Sequence, residues 1–331
     1  MEKKFLYLSE HDVNKIINNN FEFVINTVEE ALRMLNRGTV IQPDKISQII
    51  DEKYQNRINC MPSTLSEIDT CGTKWVSVFP SNYRLNLSNV EGFTILSETI
   101  SGGVKCFMNA TETTSLRTAA VGAIAAKYLA RSDSKSVGFI GAGTEARMHF
   151  KMLKHVCPQI TKCYVSSRTD GRINSFIDEF QQEYPDVTFI HCHDNYRSAI
   201  VDSDIIVTAI SSQAQVLKED WIRPGMLYIH VAGLEDEYGV VKKADKIICD
   251  DWECVKHRTQ TITQMYKKGL ISDEDIYGNI GEIISKSKVG RENKNEFIYF
   301  NSVGLSVEDV FLANRIYEEA VKSNVGIWIS K

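Results

Sequence analysis

The sequence has no apolar run long enough to cross a membrane. Its longest apolar stretches, such as residues 203–210 and 226–231, are far shorter than the roughly 20 residues of a spanning helix. The first seven residues, Met-Glu-Lys-Lys-Phe-Leu-Tyr, contain no extended apolar core, so we expect no signal peptide. These absences predict a cytoplasmic protein that does not interact with a membrane.

Long basic runs are also absent, and the formal net charge of the chain is −5. Proteins that bind nucleic acid usually carry a basic patch or stripe, so this balance argues against a nucleic-acid partner. Hydrophobic residues make up 43% of the chain and charged residues 24%, which is typical of a globular protein. A chain of 331 residues has room for two domains.

The eight cysteines include no Cys-x-x-Cys pair, and several lie inside apolar, strand-like runs. Reduced thiols in the core are the simplest interpretation. The tetrapeptide His191-Cys192-His193-Asp194 resembles a metal-binding sequence. Because successive residues of a strand point to opposite faces, His191 and Cys192 do not easily converge on one ion. We therefore expect no metal site.

The clearest local pattern is an apolar strand that ends in a glycine-rich turn and leads directly into a helix. Residues 137–140 form the apolar run, and Gly141-Ala142-Gly143-Thr144-Glu145-Ala146 follows. Gly141 permits a tight turn, Gly143 lets the backbone approach a pyrophosphate, and unpaired N–H groups at the helix start attract phosphates. The pattern predicts a dinucleotide site. The alternative is a structural turn that binds nothing.

The rest of the chain predicts an α/β fold. From residue 136 onward strands alternate with helices, which indicates a Rossmann-type doubly wound parallel sheet. Before it, strand-like segments without intervening helices indicate a mixed or antiparallel sheet. The predicted elements at the two ends are strands 5–8, 46–50, 57–61, 73–79, 92–96 and 104–109, a long helix ending at Gly38, and a last helix 306–323 capped by Ser306.

An alanine-rich helix is predicted between residues 113 and 130, with small residues on every face. Such a helix is typically buried. It contains one cation in its first half, Arg117, and a buried guanidinium needs an anionic partner. Arg117 is therefore a candidate site residue. The alternative is an internal ion pair with Glu112 or a similar carboxylate.

The choice of cofactor depends on the end of the second parallel strand. An enzyme specific for NAD usually has an acidic residue there, which binds the ribose hydroxyls. In this chain the strand ends in Ser166-Ser167-Arg168-Thr169, and no carboxylate appears before Asp170. Ser167 and Thr169 can donate hydrogen bonds to a phosphate, and Arg168 can pair with it. The sequence favours NADP(H), with NAD(H) as the alternative.

Three further cations, Lys45, Arg57 and Lys74, lie at or beside predicted strands of the N-terminal region. Cations held on rigid elements suit a small substrate that carries carboxylates. Each alone is more often a solvated surface residue, so their sequence context decides their interpretation.

That context resembles the ornithine cyclodeaminase/μ-crystallin family of NAD(P)-dependent enzymes. The resemblance covers essentially the whole chain. The motifs that carry it are Gln42–Lys45, Cys60–Pro62, Gly72–Trp75, Ser115–Ala120, Gly141–Gly143, Gly290–Glu292 and Phe300–Asp309. It implies a homodimer whose N-terminal sheet forms the dimer and substrate site, and a last helix that returns to that domain. We therefore expect a substrate and dimerisation domain at 1–125 with 305–331, and a dinucleotide-binding domain at 126–304.

The resemblance also implies residue roles. Lys45 takes the position of a substrate-binding Arg or Lys, and Lys74 and Arg117 match the pair that binds the substrate carboxylate. Further cofactor contacts fall on Thr118, Thr144, Glu145, Ser167, Thr208, Ala209, Val231, Ala232, Asn301 and Val303. The family's catalytic aspartate aligns with Glu235, a departure that leaves Asp236 as a competitor. Lys74 is a second candidate for proton transfer.

The expected substrate follows from another departure. Ornithine cyclodeaminases carry a glutamate just before the Met-Pro motif, where it holds the distal amine, whereas this chain has Asn59 or Cys60 there. Ornithine is therefore disfavoured. Within the family the chain resembles the branch that acts on N-(2-amino-2-carboxyethyl)-L-glutamate in staphyloferrin B biosynthesis, which implies release of 2,3-diaminopropionate and 2-oxoglutarate. Arg57 belongs to the shared motif, and a polyanionic substrate suits the four cations.

The sequence is also compatible with other functions. Within the family these are a ketimine or imine reductase, an ornithine cyclodeaminase and an alanine dehydrogenase. A different class is a non-catalytic protein that binds NADPH without turnover.

Overall fold

The computed structural model describes residues 3–210, 214–231 and 233–331. The chain divides into two compact units, Met1–Arg117 with Gly304–Lys331, and Thr118–Val303. The first division lies inside the alanine-rich helix, between Arg117 and Thr118. No described helix combines the length and the apolar character needed to cross a membrane.

The first unit contains a mixed sheet and three helices, together with the first turns of a fourth. Its strands are β1 (Lys4–Leu8), β2 (Val40–Ile41), β3 (Ile46–Asp51), β4 (Asn56–Leu65), β5 (Thr70–Val78), β6 (Val90–Glu98), β7 (Val104–Asn109) and β16 (Ile327–Ser330). Its helices are α1 (Glu10–Ile17), α2 (Phe21–Asn36) and α11 (Ser306–Ser323), and α3 (Thr111–Leu129) begins in it.

The strand order of this sheet is β16-β1-β7-β6-β5-β4-β2, and β3 pairs with β4. All its pairs are antiparallel except β1 with β7. Because side chains alternate along a strand, each row of paired residues faces one side. Met61, Lys74 and Thr94 form one such row and are buried. In the adjacent row, Trp75 is 45% exposed, so the sheet has one covered and one open face.

The second unit contains a parallel sheet in the order β10-β9-β8-β11-β12-β15-β13-β14. Its strands are β8 (Ser136–Ile140), β9 (Lys162–Ser166), β10 (Thr188–His191), β11 (Ile205–Thr208), β12 (Leu227–His230), β13 (Lys246–Cys249), β14 (Gly278–Asn279) and β15 (Ile298–Asn301). Its helices are α4 (Thr144–Val156), α5 (Asp170–Phe180), α6 (Tyr196–Ile200), α7 (Tyr238–Lys242), α8 (Trp252–Lys256), α9 (Thr261–Lys267) and α10 (Ile280–Ile284).

The central strands of this sheet are buried along their whole length. Every residue of β8, β11, β12, β13 and β15 is buried, as expected for parallel strands covered by helices on both faces. The order places β8 between β9 and β11, with β9 and β10 on one side and the later strands on the other. This reversal is the switch point of a doubly wound sheet, and the predicted fold class is confirmed.

Two predicted elements were wrong in detail, and one strand was missed. The long N-terminal helix is two helices, because Asn18 and Asn19 have left-handed φ values of 43° and 57° and end α1. Ser306 does not cap α11. It is the first helical residue, and its hydroxyl donates to the Pro62 carbonyl. The C-terminal strand β16, which pairs with β1, was not predicted.

Candidate active site

The glycine-rich turn has the geometry of a phosphate cradle. Gly141 has a φ of +114°, and a Cβ there would lie 2.6 Å from the Ala209 carbonyl oxygen. Gly143 precedes the first residue of α4, and a Cβ there would meet nothing within 4 Å. No side chain caps this helix start, so its N–H groups and the open space beside Gly143 fit a pyrophosphate.

The loop after β9 is tied to this turn. The N–H of Gly141 donates to the Ser166 carbonyl at 2.9 Å. Ser167 is buried and donates its backbone N–H to the His193 carbonyl. Arg168 and Thr169 are exposed, and within the described ranges no hydrogen bond or ion pair of the Arg168 side chain is found. The loop therefore offers a cation at the position where doubly wound sheets bind the adenosine ribose.

The other predicted cofactor residues of this unit differ in exposure. Thr144 is exposed and Glu145 is partly buried, both in the first turn of α4. Ala209, Val231 and Val303 are partly buried, each just after or near the end of a parallel strand, and Thr118 is partly buried in α3. Ala232 lies outside the described residues.

Two predicted cofactor residues are fully buried, Thr208 and Asn301. The Thr208 hydroxyl bonds to the Tyr228 hydroxyl at 2.9 Å, and Asn301 Oδ1 lies 2.8 Å from His230 Nδ1. The loop that follows Asn301 is held by Asp250, whose Oδ2 accepts from the Val303 N–H at 2.6 Å and from the Ser302 hydroxyl. The strand-end loops thus surround the carboxyl edge of the sheet, where such folds bind a dinucleotide.

In the first unit, Lys74 and Arg117 both donate hydrogen bonds to one carboxylate, that of Asp309. Lys74 Nζ donates to Asp309 Oδ1 at 2.7 Å, and Arg117 Nε donates to the same oxygen at 3.0 Å. Arg117 Nη1 also donates to Glu308 Oε2 at 3.2 Å. The internal ion pair considered for Arg117 is therefore present, with Glu308 and Asp309 as its carboxylates.

This four-residue cluster has almost no contact with solvent. Lys74 is 0% exposed and Arg117 7%. Burial, followed by the neighbouring Arg117 charge, lowers the pKa of Lys74 to about 8, although Asp309 opposes the shift. Asp309 Oδ2 is buried and accepts no hydrogen bond from the described part of the chain. The cluster therefore offers two cationic donors, Lys74 and Arg117, and one unused acceptor, Asp309 Oδ2. These suit the carboxylate and the nitrogen of an amino or imino acid.

Lys45 and Arg57 belong to the part of the first sheet formed by β3 and β4. Lys45 directly precedes β3, whose first residue Ile46 pairs with Cys60. Arg57 is four residues before Met61 on β4, about 13 Å along the strand. It is partly buried and donates to the Gln55 carbonyl. Desolvation lowers the pKa of Arg57, and the described residues form no ion pair with it.

Two residues of this cluster and one glycine were not predicted as site residues. Glu308 and Asp309 lie in the first turn of α11, and the sequence analysis gave neither of them a role. Gly304 has a φ of +72°, and a side chain on it would overlap the Arg117 guanidinium. These three residues could have been identified from the sequence, because the family motif Phe300–Asp309 contains all of them.

Glu235, the predicted acid, is 0% exposed. Its Oε1 accepts from the Ile210 N–H at 3.1 Å, while its Oε2 is buried with no hydrogen-bond donor among the described residues. Burial raises the pKa of Glu235 to about 7, against the opposing effects of His230 and of hydrogen bonds from Thr208 and Ile210. A carboxyl with such a pKa can exchange a proton near neutral pH.

Asp236, the competitor, has more partners. Its Oδ1 accepts from the Thr261 hydroxyl at 2.8 Å and its Oδ2 accepts from the Tyr299 hydroxyl at 3.1 Å. His230 Nε2 lies 3.4 Å from Asp236 Oδ1 and 3.9 Å from Glu235 Oε2. The sequence analysis missed His230, Tyr228 and Tyr299, which are polar residues inside otherwise apolar buried strands.

His191 and His193 converge with Asp170 rather than with Cys192. One ligand atom from each of the three residues lies within 4.8 Å of the others. However, His191 Nδ1 accepts from the His193 N–H at 3.2 Å, which leaves the ring proton on Nε2, facing Asp170 Oδ1 at 3.7 Å. A metal-bound histidine instead donates from its second nitrogen, so we assign no metal to this cluster.

Three known proteins are similar over nearly the whole chain. The Staphylococcus aureus N-((2S)-2-amino-2-carboxyethyl)-L-glutamate dehydrogenase is 27% identical, covering 98% of both chains. The structure of the Thermococcus litoralis Δ1-pyrroline-2-carboxylate reductase, in complex with NADH and L-proline, is 32% identical with a TM-score of 0.91, covering 98% of this chain and 99% of that one. An archaeal alanine dehydrogenase dimer with bound NAD is 33% identical with a TM-score of 0.89, covering 99% of each chain.

The family predicted from the motifs is confirmed by its sequence model, which matches residues 3–324. The predicted enzyme class agrees with the dehydrogenases and the reductase among these relatives. The chain belongs to the ornithine cyclodeaminase/mu-crystallin family.

Proposed function

We propose that this protein is an NAD(P)-dependent oxidoreductase that acts on the carbon–nitrogen bond of an amino or imino acid. Support comes from the phosphate cradle at Gly141 and Gly143 and from the buried cluster of Lys74, Arg117, Glu308 and Asp309. The nicotinamide cofactor, when bound, exchanges a hydride with the carbon that bears the nitrogen.

Lys74 and Arg117 bind and orient the substrate carboxylate in this proposal. Both donate to Asp309 Oδ1, and Lys74 has three N–H donors, so it can share them with a ligand. Asp309 Oδ2, which accepts no hydrogen bond from the described residues, then accepts from the substrate nitrogen. Holding the carboxylate on two cations fixes the reacting carbon, which supplies much of the catalytic advantage of an enzyme.

The proton on the substrate nitrogen needs an acid or base. Glu235 is the main candidate, because its pKa is raised to about 7. Lys74 is the second, because its pKa is lowered to about 8. Asp236 remains the alternative to Glu235.

The finer substrate assignment is N-(2-amino-2-carboxyethyl)-L-glutamate. The observation that carries it is Arg57, a partly buried guanidinium without a carboxylate partner among the described residues. A desolvated cation favours an anionic partner, and a substrate with more than one carboxylate supplies it. Lys45, which directly precedes β3, binds another part of the same substrate.

In the oxidative direction the substrate loses a hydride from the glutamate α-carbon and a proton from its nitrogen, which gives an imine. Water then adds to the C=N bond. Cleavage of the carbon–nitrogen bond, with a proton returned to the nitrogen, releases 2-oxoglutarate and 2,3-diaminopropionate.

The cofactor preference is proposed from the loop after β9. The exposed Arg168, with Ser167 and Thr169, favours the 2′-phosphate of NADP(H). Two of the similar structures contain NADH or NAD, so NAD(H) is the alternative, and comparing the affinities of NADPH and NADH decides between them.

A second candidate is a reductase of cyclic imines. It is favoured by the 32% identity to the pyrroline-2-carboxylate reductase and by the complete burial of Lys74. Such a substrate has one carboxylate, and Lys74 with Arg117 is sufficient to bind it.

The test compares Arg57→Gln with Arg117→Gln on both substrates, following absorbance of the reduced cofactor. We expect Arg57→Gln to raise the KM for N-(2-amino-2-carboxyethyl)-L-glutamate by about 10- to 100-fold, the loss of one charged contact, and to leave pyrroline-2-carboxylate reduction unchanged. Arg117→Gln should impair whichever substrate is used.

Turnover of the glutamate derivative with an unchanged KM in Arg57→Gln would contradict the finer assignment. Turnover of pyrroline-2-carboxylate alone would favour the second candidate. Tight NADPH binding without turnover of any amino or imino acid would indicate a non-catalytic binding protein.

A further inference from the structure

A chain of hydrogen bonds in the second unit determines the protonation of His230. Gln260 Nε2 donates to the Ser302 carbonyl at 2.8 Å. A backbone carbonyl only accepts, so the amide orientation of Gln260 is fixed. Its Oε1 then faces Asn301, whose Nδ2 donates to it at 3.4 Å. Asn301 therefore presents its Oδ1 to His230 Nδ1 at 2.8 Å, and His230 Nδ1 must carry a proton.

The other ring nitrogen of His230 faces acceptors. Nε2 is buried, lies 3.4 Å from Asp236 Oδ1 and 3.9 Å from Glu235 Oε2, and has no hydrogen-bond donor among the described residues. A neutral imidazole with its proton on Nδ1 would direct a lone pair at two carboxylates. For three groups that are 0% exposed this arrangement is unfavourable.

The described neighbours donate to the two carboxylates, Thr208 to Glu235 among them, and not to His230 Nε2. Asp236 already accepts from Thr261 and from Tyr299, and Glu235 accepts from the Ile210 N–H through its other oxygen. The rings of Tyr228 and Tyr299 pack against the imidazole with centroids 5.8 and 5.9 Å away. Burial raises the pKa of both phenols well above the ordinary value, so both remain neutral.

His230, Glu235 and Asp236 must therefore hold one proton more than a neutral histidine and two ionised carboxylates would. It resides on His230 Nε2 or on the carboxyl of Glu235 or Asp236, and the three groups together carry a charge of −1 instead of −2. All three are 0% exposed, and the smaller charge reduces the cost of burying them.

We propose that His230, Glu235 and Asp236 form one buried acid–base unit that holds a single shared proton, and that His230 positions this proton for transfer at the substrate nitrogen. The role in catalysis rests on the proposed function. During reduction of an imine the unit gives its proton to the nitrogen and its charge becomes −2. During oxidation of an amine it takes one up. Gln260 and Asn301 fix the orientation of the imidazole throughout.

The location of the unit supports this role. His230 is the last residue of β12 and Asn301 the last of β15, so both lie at the carboxyl edge of the parallel sheet, where doubly wound folds bind their ligands. The same hydrogen-bonded chain reaches Ser302, which neighbours Val303 in the loop after β15.

The proton can be counted without any turnover. Selective ¹⁵N labelling of the histidines reports both ring nitrogens of His230, identified by the signal missing in His230→Gln. Infrared difference spectra of Glu235→Gln and Asp236→Asn report a protonated carboxylic acid. At pH 7 we expect either an imidazolium at His230 or a carboxylic acid band that one of these variants removes. A neutral imidazole with a bare Nε2 and no such band would overturn the proposal.

The positioning role is tested by the pH dependence of kcat/KM in His230→Gln. Glutamine keeps a donor towards the carboxylates but cannot titrate. We expect turnover at pH 7 to fall by about 10²- to 10⁴-fold, the range of general acid–base catalysis, with the limb of the pH profile near neutrality displaced. A profile of unchanged shape would overturn the role, whatever the loss in stability.

His149→Gln is the matched control for burial. His149 is also 0% exposed and lies in the same unit. Its Nδ1 lies 2.8 Å from the Glu145 carbonyl, and burial lowers the pKa of His149 to about 4, so it holds no shared proton at pH 7. We expect no change in the His230 signals or the carboxylic acid band in this variant. If no substrate is turned over at all, the proposed function fails, while the proton count still decides the state of the unit.

Discussion

At the scale of single residues, the buried carboxyl of Glu235 makes stability depend on pH. Burial raises the pKa of Glu235 from 4.5 to about 7, so the folded state binds this proton more tightly than the unfolded state does. Below pH 4.5 the group is protonated in both states. As the pH rises to 7, only the unfolded chain releases the proton freely, and the free energy of unfolding falls.

Glu235→Gln removes this titration and keeps an acceptor for the Ile210 N–H. One pKa unit corresponds to about 1.4 kcal/mol, so between pH 4.5 and 7 the wild type should lose about 3 kcal/mol of unfolding free energy relative to the variant. Urea unfolding at several pH values measures this difference. Glu274→Gln, at an exposed position, is the control and should show a constant difference. Parallel curves for the wild type and Glu235→Gln would contradict the prediction.

At the scale of elements, the two glycines of the turn between β8 and α4 have different roles. Gly141 needs its positive φ and its close approach to the Ala209 carbonyl for the fold itself. Gly143 has an ordinary negative φ of −88° and open space around it. Glycine at this position is therefore explained by the ligand, since a side chain there would occupy the phosphate position.

Alanine at the two positions should separate stability from cofactor binding. We expect Gly141→Ala to destabilise the protein by about 1–3 kcal/mol or more, because the backbone is strained and the Cβ meets a carbonyl. Gly143→Ala should leave the melting temperature nearly unchanged and weaken NADH and NADPH binding at least tenfold. Thermal unfolding and nicotinamide fluorescence titration measure the two effects. Tight cofactor binding by Gly143→Ala would exclude the turn as the phosphate site.

At the scale of the whole molecule, the open face of the first sheet is a candidate surface for association with a second copy. Ile46, Cys60, Trp75 and Phe93 are register partners across β3, β4, β5 and β6, and they form the row next to Lys74. Ile46 is 62% exposed and Trp75 45%. Exposed apolar patches mark association surfaces, and we propose that this face forms the homodimer that the family resemblance implies.

Ile46→Lys tests that assembly. A charge in the centre of an apolar interface is costly, so we expect the variant to be monomeric at a concentration where the wild type is dimeric, as measured by light scattering after size exclusion. Val289→Lys introduces the same charge at an exposed position of the other unit and should leave the mass unchanged. A monomeric wild type, or a dimeric Ile46→Lys, would argue against this face.

The sequence alone determined those features that depend on neighbouring residues. The strand, turn and helix around Gly141 were predicted because backbone geometry restricts such a turn to glycine. The parallel sheet followed from the alternation of elements. The cations Lys74 and Arg117 were recognised from motifs, and each lies on the element that its local pattern predicts.

Only the tertiary structure decided which groups meet. Arg117 bonds to Asp309, 192 residues away, a partner that no sequence spacing indicates. Gln260, the residue before α9, orients Asn301 at the end of β15 and through it His230 at the end of β12. Contacts of this kind depend on how strands and helices pack, and no local preference encodes them. The charge of each buried group depends on those contacts, and so the acid–base unit became visible only in the fold.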